Sequence, residues 1–309
     1  MRNHFLRAGG IPTSSSGGSG GSPAAFNGVT TDLEVHYDYG NTDCWTGNKS
    51  DNAADYTINN LANSNHDSLL RRYNGSQYQH GTAGQSVLSK ETDGGGCLQW
   101  TPANYSGDSD KTASLTPGVW TSSSSSNPRY NYTTISGSNN LYNGLGTGTY
   151  THELWVRPYS ESGSNGNVFL SYWIGKDGGT YLYWYLRFYG PADSTYPNKF
   201  RLYNGAFVAD WTAAGAPSSG SGWCDWSHIV YSRTYGTNTT KIYVNNSLLD
   251  ICSDTKDHDE LAIGYPTSTV GNASSPKSQH AIYRFYKGKA LSSSEVTTNW
   301  NDQKSRFGH

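Results

Sequence analysis

Tyr181-Leu182-Tyr183-Trp184-Tyr185-Leu186-Arg187-Phe188-Tyr189 alternates residue by residue. Successive side chains of a strand point to opposite faces, so a strict period of two marks a half-buried β-strand. Leu182, Trp184, Leu186 and Phe188 fall on the face expected to meet a core, while the tyrosines and Arg187 line the opposite one.

The same reading extends outward from this run. In Tyr150 to Arg157, Tyr150, His152, Leu154 and Val156 share one face, and Thr151, Glu153, Trp155 and Arg157 share the other. Asp32 to Asp38 reads as an opening strand, and Phe200-Arg201-Leu202-Tyr203 and Lys241-Ile242-Tyr243-Val244 as further short ones. Asn74-Gly75, Asn204-Gly205 and Asn245-Asn246 follow strand-like runs. Such pairs suit type I′ hairpin turns, whose two central residues both need positive φ. Ser292 and Glu295 form an S-x-x-E capping box, with Val296, Trp300 and Lys304 continuing at helical spacing. That one helix reads as a terminal accessory element, and Thr121 to Asn127 reads as a surface loop.

Composition agrees with the pattern. Of 309 residues only 15% are charged, against roughly 25% in an ordinary soluble domain. Aromatic residues reach 14%, with 24 Tyr and 10 Trp, and there are 36 Gly. Glu is scarce, which argues against a helical bundle, and the aromatic content argues against disorder. Small turn formers mixed with Tyr, Trp, Thr and Val favour short strands and many loops. All-β sandwiches often reach this length as one domain. A net charge of −2 leaves no electrostatic footprint for nucleic acid. No apolar run of about 18 residues exists for a membrane span. Met1 to Gly10 begins basic but develops no apolar core, so it does not read as a Sec signal peptide. Cys44, Cys97, Cys224 and Cys252 lack paired metal spacing. They read as buried free thiols, with Cys44–Cys97 or Cys224–Cys252 disulfides left open.

Three parts emerge along the chain. Residues 1–12 are a short peptide carrying Phe5, Leu6, Arg7 and Ile11; residues 13–25 are a Gly/Ser-rich linker; residues 26–309 form one globular body. The ten residues Thr13 to Ser22 span roughly 17 Å as a coil and about 33–36 Å stretched. A peptide with large apolar residues on such a tether has the form of a docking arm, against the simpler reading of an idle chain end.

Several segments together resemble the concanavalin A-like lectin/glucanase superfamily in its LamG or pentraxin-type form. They are the opening strand with Tyr39-Gly40-Asn41 and Cys44-Trp45-Thr46-Gly47, then Thr151-His152-Glu153-Leu154-Trp155-Val156-Arg157-Pro158, and Trp226-Ser227-His228-Ile229-Val230. Lys241 to Asn246 and Leu261-Ala262-Ile263-Gly264 follow in the family's order. The closing run, Ile282 to Ser292 through Glu295 to Lys304-Ser305-Arg306-Phe307-Gly308, is similar to LamG-like domains in virion proteins of tailed bacteriophages. The resemblance covers about residues 30–308 and is strongest after Tyr150; residues 50–145 match poorly and read as enlarged loops. It implies an all-β, antiparallel β-sandwich (a concanavalin A-like jelly roll) with a short C-terminal helix.

Function has to be argued from a site, because one fold hosts many activities. The glucanase branch would need "E-x-D-x-(x)-E", with two carboxylates about 5–5.5 Å apart across the sugar. Glu153 is followed by Leu154, Trp155 and Val156, with no second carboxylate on its face. No G-x-S-x-G elbow exists, and His152 and His228 sit among core-like neighbours, so the expectation is a non-enzyme with no catalytic residues. No cofactor or metal is expected. Family members hold Ca²⁺ in loops, and Asp38, Asn41, Asp43 and Asp177 are candidates by loop position alone. The outward Tyr181, Tyr183 and Tyr185 with Arg187 form a face suited to protein contact, to cover by a loop, or to glycan binding.

The resulting expectation is a non-enzymatic bacteriophage virion protein, either a capsid decoration or a fibre or appendage component. Its arm, through Phe5, Leu6, Arg7 and Ile11, would attach to the major capsid protein or another virion protein. The sandwich would then meet host-surface polysaccharide weakly, with avidity from many copies. The alternative is a secreted or surface carbohydrate-binding lectin module.

Overall fold

The computed structural model describes residues 25–45, 57–63, 68–73, 78–79, 88–100, 112–117, 148–160, 167–177, 180–204, 207–218, 220–237, 239–253, 260–263 and 278–309. Among these, the early strands are β1 (Leu33–Asp38), β2 (Thr57–Ile58), β3 (Ser68–Tyr73), β4 (Tyr78–Gln79), β5 (Leu88–Glu91), β6 (Cys97–Trp100) and β7 (Thr112–Pro117). The later ones are β8 (Tyr150–Ser160), β9 (Asn167–Asp177), β10 (Thr180–Tyr189), β11 (Lys199–Asn204), β12 (Phe207–Thr212), β13 (Gly222–Trp223) and β14 (Ser227–Thr234). After them come β15 (Thr239–Val244), β16 (Ser247–Ser253), β17 (Glu260–Ile263), β18 (Ser278–Lys287) and a single α-helix, α1 (Ser293–Gln303).

The strands form two antiparallel sheets. The first runs β16-β15-β14-β8-β18-β6-β5, with β1 also on β18 and β13 also on β8. The second runs β12-β11-β10-β9-β17-β7-β3-β2, with β4 on β3. Strands adjacent in the chain are often hairpins, but β8 and β18 pair across more than a hundred residues, Glu153 opposite Arg284 and Phe285 opposite His152. The architecture is therefore a β-sandwich of the jelly-roll type with one short C-terminal helix. Strands β2 to β7 fall within the stretch expected to be enlarged loops, so that part of the chain also contributes to both sheets. Its polar, Gly-rich sequence hides a periodicity that cross-strand pairing supplies.

Between the sheets lies the main core. Val35, Tyr37, Tyr150, Leu154, Val156, Ile229, Tyr231, Ile242, Tyr283 and Phe285 come from the first sheet. Leu186, Phe188, Phe200, Leu202 and Ala209 meet them from the second. These are the positions the alternation assigns to one face of each strand. Each fully buried large side chain contributes roughly 1.5–3 kcal/mol of transfer free energy.

The first sheet is buried on its other face too. Trp155, Trp226, Ala281 and Ile282 pack against Trp300 and Phe307, while Val230, Tyr243 and Tyr286 pack against Leu291 and Val296. Helix α1 supplies this cover. Ser292 Oγ accepts the Glu295 backbone N–H, and the Glu295 carboxylate accepts the Ser292 N–H, closing the capping box. Val296, Asn299 and Gln303 are its buried residues. The helix is thus a third layer of the fold rather than an accessory. Its role is invisible in its own sequence because few of its residues are apolar.

Asn245 and Asn246 have φ of 47° and 65°, the pair of positive values a type I′ turn requires. Asn246 Oδ1 also accepts a hydrogen bond from Thr297 Oγ1 at 2.8 Å, tying the turn to α1. Asn74-Gly75 and Gly205 lie outside the described residues, as does the loop 121–127. All four cysteines are free thiols, three of them buried and Cys252 half-buried. Burial pushes the Cys224 thiol up to about 12 and the Cys97 thiol higher still. Among the described residues no helix is long and apolar enough to cross a membrane.

Candidate functional site

On the outer face of the second sheet, away from the core, β10 and β11 carry a cluster of arginine and tyrosine. Leu186 and Phe188 of β10, and Phe200 and Leu202 of β11, point inward and are buried. Alternation then sends Arg187, Tyr189, Arg201 and Tyr203 outward. The register places Arg187 directly opposite Arg201, and Tyr185 opposite Tyr203. On the next strand, Asp210 lies opposite Arg201.

The Arg201 guanidinium is housed in rings. Its Cζ lies 3.7 Å from the Tyr196 ring centre, 4.9 Å from Tyr203 and 5.7 Å from Tyr189. Arg187 shares the last of these rings, with Cζ 4.8 Å from Tyr189 and Nη1 donating to the Tyr189 hydroxyl at 3.3 Å. Arg201 is 8% exposed, and Arg187 and Tyr196 are half-buried. Tyr196 reaches this position from the loop between β10 and β11, where Asp193 Oδ1 accepts the N–H groups of Thr195 and Tyr196 at 2.9 and 2.7 Å. Lys199 Nζ meets Asp210 Oδ1 at 3.0 Å beside them. Cation–π contacts of this kind contribute about 0.5–2 kcal/mol each and fix the guanidinium plane.

Of the residues expected on this face, Arg187 is where the alternation put it. The backbones of Tyr181, Tyr183 and Tyr185 lie on β10, opposite Lys176, Ile174 and Tyr172 of β9, and their side chains fall outside the described set. The tertiary structure adds Tyr196, Arg201 and Tyr203 to Arg187 and Tyr189. The signal for Arg201 and Tyr203 was present in the alternation of Phe200 to Tyr203. Nothing local announced Tyr196, which the loop delivers. Phe5, Leu6, Arg7 and Ile11 lie outside the described residues.

The opposite side of the molecule holds the buried carboxylate Glu153. Its Oε1 accepts from His228 Nε2 at 2.8 Å and from Arg284 Nη1 at 3.0 Å. Its Oε2 accepts from Asn299 Nδ2 at 2.8 Å and from the Tyr286 hydroxyl at 3.3 Å. Burial raises its proton affinity, but the Arg284 charge and the bonds from His228 and Asn299 outweigh it and hold the carboxyl at about 2. Burial, with the nearby Glu153 charge, pushes the Tyr286 phenol well above its ordinary range. Glu153 is thus an ionised group sealed beneath α1, with every lone pair directed at the protein. His228 belongs to this cluster, while His152 faces the other way, Nδ1 2.9 Å from the Tyr283 hydroxyl within the core.

Asp38, a loop-position candidate for Ca²⁺, is engaged by Arg306, whose Nη1 and Nη2 meet its two oxygens at 2.6 and 2.9 Å. Asp38 also accepts the Gly40 N–H at 3.0 Å, and Arg306 donates onward to the Gly94 and Gly96 carbonyls. Asn41 Oδ1 caps the Asp43 N–H at 2.8 Å, an Asx turn. The Asp177 side chain is outside the described set. No group of three or more His, Cys, Asp or Glu residues is assembled for a metal among the described residues. A cavity of about 310 Å³ opens beside Phe26, His36 and Asp38. Burial, then the Arg284 charge, lowers the His36 imidazole to about 3, so it is neutral there.

No protein-family model matches the chain, and no curated protein matches it. Solved structures do share its fold. The botulinum neurotoxin serotype D binding domain superposes with a TM-score of 0.52 at 9% identity, over 89% of this chain and 53% of that one. The serotype D/C VPI 5993 binding domain gives 0.51 at 10% identity, over 88% and 52%. A botulinum neurotoxin type C structure, described as depending on interaction with two ganglioside molecules to get into cells, gives 0.50 at 9% identity, over 88% and 51%. The chain spans about half the length of these structures. At such identities the likeness is one of fold.

Proposed function

We propose that this protein is a non-enzymatic recognition module that presents the Arg187–Arg201 face of its sandwich to carbohydrate on a cell surface. The observation that carries the reading is the guanidinium of Arg201 held among three tyrosine rings on the outside of the second sheet. Aromatic faces with fixed polar groups beside them are what sugar sites are made of. The sharing of this fold with receptor-binding domains, one of them described with gangliosides, supports the same direction. Glu153, sealed and fully bonded, offers no acid or nucleophile to a substrate. Recognition in this reading needs no Ca²⁺, since Asp38 is taken by Arg306.

The display site in this proposal is a bacteriophage virion. The closing run from Ile282 to Gly308 resembles virion LamG-like domains, and the 1–12 peptide on its 13–25 linker has the form of an arm for the major capsid protein or another virion protein. Many tethered copies would turn weak single-site contacts into firm attachment. A secreted lectin module would use the same face without the arm.

Two measurements test these halves separately. On a broad glycan panel the full chain should bind saturably and in the presence of a chelator. Tyr196→Ala, at a half-buried ring, should weaken it on the order of tenfold, the equivalent of about 1.4 kcal/mol. Silence across the panel overturns the recognition role. Deleting residues 1–22 should leave a folded domain that no longer enters virions, and retained incorporation overturns the docking arm.

A further inference from the structure

The cavity beside Phe26 belongs to the first sheet, away from the Arg187–Arg201 face. Val35 and Tyr37 of β1 point into the main core. Alternation turns His36 and Asp38 to the other side of that sheet, where they border the cavity of about 310 Å³. Ligand sites occupy about 300–1,000 Å³, so this one has room for a single small ring. One wall is the stretch 25–32, which has neither strand nor helix. Val29 ties it down: its N–H donates to Asn299 Oδ1 at 2.8 Å, and its carbonyl accepts the Tyr286 hydroxyl at 3.1 Å. The other wall runs along the edge of β1 away from β18. There Asn60 Oδ1 accepts the His36 N–H at 2.8 Å, and the His36 carbonyl accepts the Leu61 N–H at 2.9 Å. Phe26, Leu33, Leu61 and Ala62 make these walls apolar.

The two polar groups at the floor are not equally engaged. Both Asp38 oxygens are taken by Arg306. His36 is 6% exposed, and its Nε2 is buried with no hydrogen-bond partner among the described residues. The half-buried Phe26 ring stands edge-on to the imidazole, 5.1 Å between centres. A buried nitrogen left without a partner is destabilising, and a ligand that bonds to it removes that penalty.

We infer that this cavity binds a small neutral molecule carrying a ring and a hydroxyl, such as a phenol. The inference is independent of the carbohydrate reading. The ring packs among Phe26, Leu33 and Leu61, and the hydroxyl displaces the Phe26 edge to reach His36 Nε2. A neutral imidazole has one N–H and one bare nitrogen. Burial keeps His36 neutral, and a hydroxyl, which both donates and accepts, fits either form of Nε2. A charged group would find the Asp38–Arg306 and Glu153–Arg284 pairs already matched and would lose its hydration without gaining a partner. A sugar would bury several hydroxyls against apolar walls that cannot bond them.

The test titrates the full chain by calorimetry with p-cresol, toluene, p-toluate and methyl glucoside. The cresol should bind saturably and on the order of tenfold more tightly than toluene, which has the same ring without the hydroxyl. It should also bind more tightly than the toluate or the glucoside. Ala62→Trp, which fills the cavity from a half-buried position, should abolish binding while thermal melting stays cooperative. His36→Leu keeps bulk and removes the nitrogen, so it should bring p-cresol down to the level of toluene. Ring-nitrogen NMR of the unaltered chain reads the same contact without a substitution: His36 Nε2 should shift with p-cresol and not with toluene. Equal binding of p-cresol and toluene overturns the inference. So does p-cresol binding that survives in a folded Ala62→Trp chain or leaves Nε2 unshifted. Tighter binding of the toluate or of the glucoside overturns it as well, in favour of an anion site or a sugar site. Failure of all four probes overturns it and leaves the recognition face standing.

Discussion

Glu153 Oε1 and Arg284 Nη1 meet at 3.0 Å across β8 and β18, and both side chains have no solvent exposure. The Phe26 ring closes over the Arg284 guanidinium at 3.6 Å, and Arg284 Nε and Nη2 are buried without a hydrogen-bond partner among the described residues. Removing one charge of a buried pair strands the other, at a cost of about 3–5 kcal/mol. Glu153→Ala should therefore lower the urea midpoint steeply. The double change Glu153→Met with Arg284→Met removes both charges and keeps their bulk, and should recover most of the loss. A double variant as unstable as the single one would show that the pair itself, not its desolvation, dominates.

Acid stability follows from the same neighbourhood. Glu153 is depressed to about 2, so its contribution is present above the ordinary carboxylate range and is lost as pH falls toward 2. His36 and His280 are lowered to about 3, mainly by burial. A buried neutral histidine binds its proton in the unfolded chain at about 6.5 and not in the folded one. Its destabilising effect thus begins below pH 6.5 and grows until about pH 3. Each such histidine adds at most about 1.4 kcal/mol per pH unit to the slope. The melting temperature should start to fall well above the carboxylate range, and His280→Gln should flatten that first limb. Loss of stability confined below pH 4 would rule out the histidines as its cause.

The C-terminal layer should be indispensable to the fold. Trp155 stacks on Phe307 at 4.0 Å and on Trp300 at 5.3 Å between ring centres. Trp155→Ala should cost about 3–5 kcal/mol. Truncation after Leu291 should abolish the cooperative thermal transition, since it bares Trp155, Val230 and the Glu153 cluster together. A truncated chain that still unfolds cooperatively would make α1 dispensable.

At the β15–β16 turn, backbone and side chain can be separated. Asn246→Gly accepts the positive φ and loses only the bond from Thr297, so it should cost about 1 kcal/mol or less. Asn246→Ala loses the bond and also pays for the left-handed backbone, about 1–2 kcal/mol more. Chemical denaturation of the two variants together with Thr297→Val resolves the terms. Equal losses for Gly and Ala would mean that the turn does not impose its φ on the chain.

Alternation in Tyr181 to Tyr189 and Tyr150 to Arg157, the Asn-Asn turn and the capping box at Ser292 determined by themselves that the protein is built of strands in antiparallel hairpins with a terminal helix; the sandwich was what the resemblance of several segments to the concanavalin A-like superfamily implied. Each is a local property: side-chain direction, allowed φ, or satisfaction of helix-end donors. They also placed Arg187 outward. Sequence could not reach what depends on contacts between distant segments. Glu153 read as a carboxylate with no second one on its strand face, and only the return of β18 and α1 gave it Arg284 and Asn299, 131 and 146 residues away. Arg201 looked like one more polar position until register set it opposite Arg187 and a loop laid Tyr196 over it. Tertiary structure decided which charges are sealed and which are offered to a ligand, because burial and pairing arise between strands and do not exist within any one of them.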